Sequence, residues 1–207
     1  MIASGGLATI IVLQNMVLNG GMQMTKKMNS GKRFESNFKN SVPNYCYCHR
    51  LKDSSQSFVD SELSDFSWQN PCDFYLYDTK NRIFYASELK SSKQKYITFE
   101  NIDEESPKSK MIHKNQILSL IEIGKYNNVI AGFFFNFRDE EHGLERTYFQ
   151  SIDMFMKMYK NIGKWSFNEI DLLLYGGIKI KGEKLRVNYR WDLDEFLESQ
   201  SKKYPLY

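Results

Sequence analysis

Asn70-Pro71-Cys72-Asp73-Phe74-Tyr75-Leu76-Tyr77, then Arg82-Ile83-Phe84-Tyr85-Ala86-Ser87-Glu88-Leu89-Lys90, is the stretch on which the fold turns. Both runs are dense in aromatic and aliphatic residues, and the polar Asp78-Thr79-Lys80-Asn81 between them has turn chemistry. They read as two strands of a hairpin, with Asp73 near its start and Glu88 and Lys90 near its end. Residues two apart on a strand project to one face, so Glu88 and Lys90 share a side of the sheet. Two carboxylates and an amine placed this way can hold a divalent metal beside a phosphate and steady the attacking water. Acidic and basic residues also decorate ordinary solvated hairpins, so the surroundings decide. Lys90 closes a long apolar strand rather than a charged run, and Glu35 upstream and Gln116 downstream fall on predicted helices.

Upstream, Lys26 to Asn40 reads as a helix. Phe34 and Phe38 are four apart and share a face, and Asn29 or Ser30 can cap it. Pro43-Asn44 ends it, and Tyr45 to Leu51 alternates as a first strand. Lys52 to Asn70 is polar and reads as a long loop. Downstream, Tyr96 to Ile102 is apolar, and Asp103 to Lys110 is a charged insertion. Ile112 to Tyr126 has helical spacing through Ile112, Gln116, Leu120 and Ile123, closed by Gly124 or Asn127-Asn128. The nearly continuous apolar run Val129 to Phe137 predicts a central strand buried on both faces. Thr147 to Ile152 reads as a strand and Asp153 to Lys160 as a short helix. Ser166 with Glu169 reads as a capping box opening a further helix, broken at Gly176-Gly177. Ile178 to Ile180 and Leu185 to Tyr189 read as an edge hairpin, and Trp191 to Glu198 as a closing helix. The predicted class is α/β (α+β), a central mixed β-sheet flanked by helices.

With 207 residues, 42% hydrophobic and 15% aromatic, the chain can bury a sizeable core and is not globally disordered. A net charge of +3 permits nucleic-acid binding without arguing for it. The three cysteines, Cys46, Cys48 and Cys72, lack zinc-ligand spacing and read as free thiols, which fits a reducing cytoplasm. Residues 1–25 read as a leader, either an over-extended start, a disordered segment or an extra helix. Residues 26–200 read as a single domain, with 201–207 as a tail. The apolar run Leu7 to Leu13 is far too short to span a membrane. Three lysine-rich groups are predicted to form one phosphate-binding rim: Lys32 and Arg33 before Glu35, Lys93 and Lys95 after Lys90, and Lys114 near Gln116. Tyr45, Tyr47, Phe133 to Phe135 and Phe137 are assigned to the core, and His49 and His142 receive no role.

Four blocks in order resemble those of RecU-type Holliday junction resolvases, within the PD-(D/E)XK nuclease superfamily. They are Gly31-Lys32-Arg33-Phe34-Glu35, Asn70-Pro71-Cys72-Asp73, Glu88-Leu89-Lys90 and His113-Lys114-Asn115-Gln116. Lys164-Trp165-Ser166 and Tyr189-Arg190-Trp191-Asp192 extend the resemblance, which spans about residues 29–198. It implies a restriction-endonuclease-like core and a homodimeric, Mg²⁺-dependent endonuclease (with Mn²⁺ able to substitute) that cuts four-way DNA junctions by paired nicks. It further implies that Glu35, Asp73 and Glu88 surround the metal, that Lys90 is the catalytic lysine and that Gln116 is the active-site glutamine. Bacterial members carry a long stalk before the aspartate. Here Lys52 to Asn70 is short and partly acidic, so the chain looks more like a phage-encoded version. Two alternatives remain open: a restriction- or repair-type endonuclease acting on duplex DNA, and a non-catalytic DNA-binding module.

Overall fold

The structure of the chain is a computed structural model, which describes residues 29–51, 70–104 and 109–203. The leader 1–25, most of the loop after Leu51, part of the charged insertion and the last four residues lie outside the described residues.

The described chain runs α1 (Ser30–Ser41), β1 (Cys46–Arg50), β2 (Phe74–Asp78), β3 (Ile83–Ser92), β4 (Ile97–Thr98), α2 (Lys114–Ile123), β5 (Val129–Asp139) and β6 (Leu144–Ser151). It continues through α3 (Ile152–Asn161), β7 (Ser166–Phe167), α4 (Glu169–Leu174), β8 (Ile178–Ile180), β9 (Gly182–Lys184), β10 (Tyr189–Trp191) and α5 (Leu193–Lys203). Six strands form one sheet in the order β1-β2-β3-β5-β6-β8. β3 and β5 are parallel and every other neighbouring pair is antiparallel, so the sheet is mixed and the architecture α+β.

The period-two alternation of the strands divides the core into two layers. Ala86, Phe133, Phe135 and Phe137 pack with Ile117 and Leu120 of α2 and with Phe155 and Met158 of α3. Tyr85, Leu89 and Phe134 pack on the other side with Phe34 and Phe38 of α1 and Phe196 and Leu197 of α5. This explains the unbroken apolar run in β5: it feeds both layers from the middle of the sheet. Gly132 allows β6 to close on it, because a Cβ there would stand 2.4 Å from the Gln150 carbonyl oxygen.

Local signals placed most elements. Asn29 caps α1 by accepting the Gly31 N–H, and α1 stops before Pro43. Five expectations change. Ile112 is fully buried but pairs with Phe99 in an isolated bridge, and α2 begins only at Lys114, with His113 as its N-cap. Ser166 caps no helix; Ser166–Phe167 pairs with Ile97–Thr98, and the capping box is Asn168 with Asp171. The buried Phe167 ring draws that dipeptide into the core as extended chain, and helix formation is displaced past it. Ile178–Ile180 pairs with β6 rather than with Leu185 to Tyr189, and Trp191 ends a strand of the β9–β10 hairpin instead of opening the last helix. Finally, Tyr47 is 61% exposed, and the OH of half-buried Tyr45 donates to Asp194; neither ring is a fully buried core residue.

No helix among the described residues is long and apolar enough to cross a membrane.

Candidate active site

Strand parity puts Glu88 and Lys90 on the face of Ala86, beneath α2. Glu88 is only 3% exposed, and its Oε1 lies 3.0 Å from the Lys90 Nζ. The same oxygen accepts a hydrogen bond from Nε2 of Gln116. Gln116 is the third residue of α2, and its Oε1 accepts the His113 backbone N–H at 3.0 Å. That contact fixes which end of the amide faces Glu88, leaving its NH₂ group to donate to the carboxylate. The N-terminus of α2 is itself anchored by Glu100, whose oxygens engage the His113 ring at 2.8 Å and the Lys114 backbone N–H at 2.7 Å. Glu100 was not anticipated from sequence. A lone carboxylate inside the apolar stretch Tyr96 to Ile102 is the signal that marks it.

Asp73 stands just before β2, where its backbone still joins the ladder: its carbonyl accepts the Leu51 N–H and its N–H donates to the Ser87 carbonyl. Its carboxylate accepts the Leu89 N–H at 2.8 Å, so it is fastened between Glu88 and Lys90 along β3. Glu35, on α1, accepts from the Arg50 guanidinium at the end of β1. Sequence reading missed Arg50, because nothing local announces a contact between a helix residue and a strand end.

Burial pushes the Glu88 carboxyl up to about 7, with the Asp73 and Glu35 charges adding to the rise and Lys90 opposing it. Asp73 is also raised, first by burial, while the Leu89 N–H and Lys90 act to lower it. The buried Cys72 thiol is pushed up to about 12 and donates to the Phe74 carbonyl, so it is no nucleophile at neutral pH. The Glu88 shift has a consequence for stability. Its folded value lies above the ordinary glutamate value, so its contribution is fully present below about pH 4.5 and is lost as pH rises through about 7. Glu88→Gln keeps the side chain neutral throughout. The variant is expected to gain on wild type across that window by up to roughly 3 kcal/mol. Urea midpoints measured on both proteins at each end of the window check this.

The structure brings Asp73, Glu88, Lys90 and Gln116 together, with Glu35 near enough for its charge to act on both buried carboxylates. It does not gather Glu35, Asp73 and Glu88 into one ligand set: among the described residues, no three His, Cys, Asp or Glu side chains form a group that could hold a metal ion. Glu35 is turned to Arg50, and Glu88 to Lys90 and Gln116. The predicted basic rim is only partly assembled. A cleft of about 1150 Å³ at the end of β3 is lined by Arg33, Lys93, Arg138 and Lys184 among others, but not by Lys32, Lys95 or Lys114. Lys32, Lys93 and Lys95 are exposed and Lys114 is half-buried. Arg33 is already engaged by Glu145, which belongs to a polar cluster with Asn136 and Thr147.

No protein-family model matches the chain. It is similar to the SPbeta prophage-derived uncharacterized protein YotM of Bacillus subtilis, 29% identical over 197 residues, covering 86% of this chain and 93% of that protein. Among solved structures it is similar to Archaeoglobus fulgidus Hjc, a Holliday junction resolvase from an archaeal hyperthermophile. The identity is 14%, covering 65% of this chain and 83% of that one, with a TM-score of 0.37.

Proposed function

We propose that the chain is a Mg²⁺-dependent endodeoxyribonuclease of PD-(D/E)XK type that acts on branched DNA, four-way junctions included. The observation that carries this reading is the clasp on Glu88: a buried carboxylate held by Lys90 and Gln116, beside Asp73, at one end of the central strands. Buried carboxylates whose affinity for protons is raised by neighbouring carboxylate charge are a natural seat for a divalent cation, which relieves the repulsion. Hard oxygen donors suit Mg²⁺, and Mn²⁺ can substitute. Asp73 and Glu88 would hold the ion, with Glu35 joining once released from Arg50. The bound ion would polarise a phosphoryl oxygen and acidify the attacking water. Lys90 supplies a fixed positive charge to the charge that develops at the phosphorus. Gln116, its orientation set by the α2 cap, holds Glu88 in place. Lys32, Arg33, Lys93, Lys95 and Lys114 are the proposed phosphate contacts, and paired nicking requires a homodimer. The prophage origin of the Bacillus relative, matched over nearly its whole length, is in keeping with a phage-type enzyme.

The test uses a synthetic four-way junction and a linear duplex of the same arms, with Mg²⁺, against wild type, Asp73→Asn and Glu88→Gln. Wild type is expected to nick the junction faster than the duplex, and both variants to lose cleavage by roughly 10²–10³-fold. Equal cutting by all three proteins would remove the site assignment; equal rates on junction and duplex would favour the duplex endonuclease. Mg²⁺ should also raise the melting temperature of wild type but not of either variant, since only an ion bound to the native state stabilises it.

A further inference from the structure

The edge of the sheet beyond the active site carries an aromatic face. Tyr47 and His49 on β1 stand opposite Tyr77 and Tyr75 on β2. Opposite residues of an antiparallel pair share a face. Tyr75 packs against the core layer that lies under α2 and α3, so this is the side that also bears Glu88 and Lys90. Those helices pack over β3, β5 and β6. Further out, Tyr47 is 61% and Tyr77 38% exposed, and His49 is exposed as well. The Tyr47 and His49 rings are parallel to within 2°, with centroids 6.3 Å apart. Tyr75 and Tyr77 follow Asp73 at steps of two residues, about 7 Å each. His49 therefore stands one step from the site and Tyr47 two.

Beyond Asp73 and Glu88 at the site itself, the described residues of β1 and β2 put no acidic side chain on this face. Asp78 is fully buried, with its oxygens taken by the Lys80 and Asn81 backbone N–H groups and the Asn81 side chain. Arg82 is exposed at the turn where the face ends, whereas the Lys80 Nζ lies over the Tyr45 ring and 3.9 Å from Asp194 of α5, the helix on the other side of the sheet. Parallel planar rings, an exposed cation at the far end and the candidate active site at the near end suit one class of occupant: a DNA strand with unpaired bases. Paired bases in a duplex hide their faces in the stack and cannot use such rings.

We infer that Tyr47 and His49, flanked by Tyr77, form a stacking platform for the unpaired strand that leads into the active site. The choice of DNA rests on the nuclease reading above. Unpaired strand at a branch point would then be a feature that draws substrate to this enzyme.

The test is fluorescence anisotropy without divalent metal at one fixed salt concentration, using a labelled single-stranded oligonucleotide and its blunt duplex. The proteins are wild type, Tyr47→Ala, His49→Ala, the double variant and Tyr47→Phe. Each alanine is expected to weaken single-strand binding by about tenfold, with duplex binding unchanged and Tyr47→Phe like wild type. Unchanged single-strand affinity in the double variant overturns the platform, and so does an equal loss on duplex. Melting curves matching wild type show that the variants fold. A double variant that loses single-strand affinity, in a protein that cuts no DNA with Mg²⁺, upholds the platform and removes the nuclease reading. Cleavage by wild type with unaltered single-strand binding in the double variant does the reverse.

Discussion

Lys90→Met is expected to slow Mg²⁺-dependent strand cleavage by about 10²–10⁴-fold while leaving stabilisation by Mg²⁺ in place. Methionine keeps the unbranched, buried stem, so the strand and its packing survive, and only the ammonium group leaves. That group lies 3.0 Å from Glu88 and acts to lower both Glu88 and Asp73. On the nuclease reading proposed above, removing it takes the positive charge away from the reacting phosphate. It also raises the pH at which the two carboxylates ionise. Residual activity should therefore appear at higher pH than in wild type. Single-turnover rates across a pH series, with melting curves taken with and without Mg²⁺, separate a catalytic loss from a folding loss. A rate within a few-fold of wild type at every pH would show that Lys90 has no part in the chemistry.

Phe134→Ala is expected to cost about 3–5 kcal/mol, a large share of the stability of an ordinary domain. Phe134 is fully buried, with its ring 4.6 Å from Phe38, 4.9 Å from Phe149 and 5.5 Å from Phe196, centroid to centroid. It thus joins α1, α5 and β6 to the middle of the sheet. Truncation leaves a cavity ringed by other large rigid rings, which collapse poorly into it. At about 2–4 °C per kcal/mol for a chain of this size, the melting temperature should fall by roughly 10 °C. Calorimetry reads this directly. A loss under about 1 kcal/mol would mean that the α1 side of the core is loosely packed, contrary to the ring contacts.

Much of the site was legible because its geometry is local. Glu88 and Lys90 share a face by strand parity alone, and Gln116 falls in the first turn of a helix whose apolar spacing is plain. Arg33 and Arg50 show the opposite case. Both are basic residues beside the site in sequence or space, yet each is committed to a carboxylate, Arg33 to Glu145 and Arg50 to Glu35. Tyr47 also misled: alternation puts it on a strand face, but alternation is silent on whether a helix covers that face. Ser166 failed for a related reason, since the burial of Phe167 outweighs a local capping preference.

The amino-acid sequence by itself determined the order of the main strands and helices, the two-sided burial of β5 and the pairing of Glu88 with Lys90 on one face. Those properties follow from backbone periodicity and side-chain polarity, which act over a few residues. Only the tertiary structure decided that Glu35 is turned to Arg50, that Glu100 anchors the cap which aims Gln116, and that the β1–β2 edge leaves its aromatic rings in solvent. Each depends on contacts between distant segments and on how far the helical layers extend across the sheet.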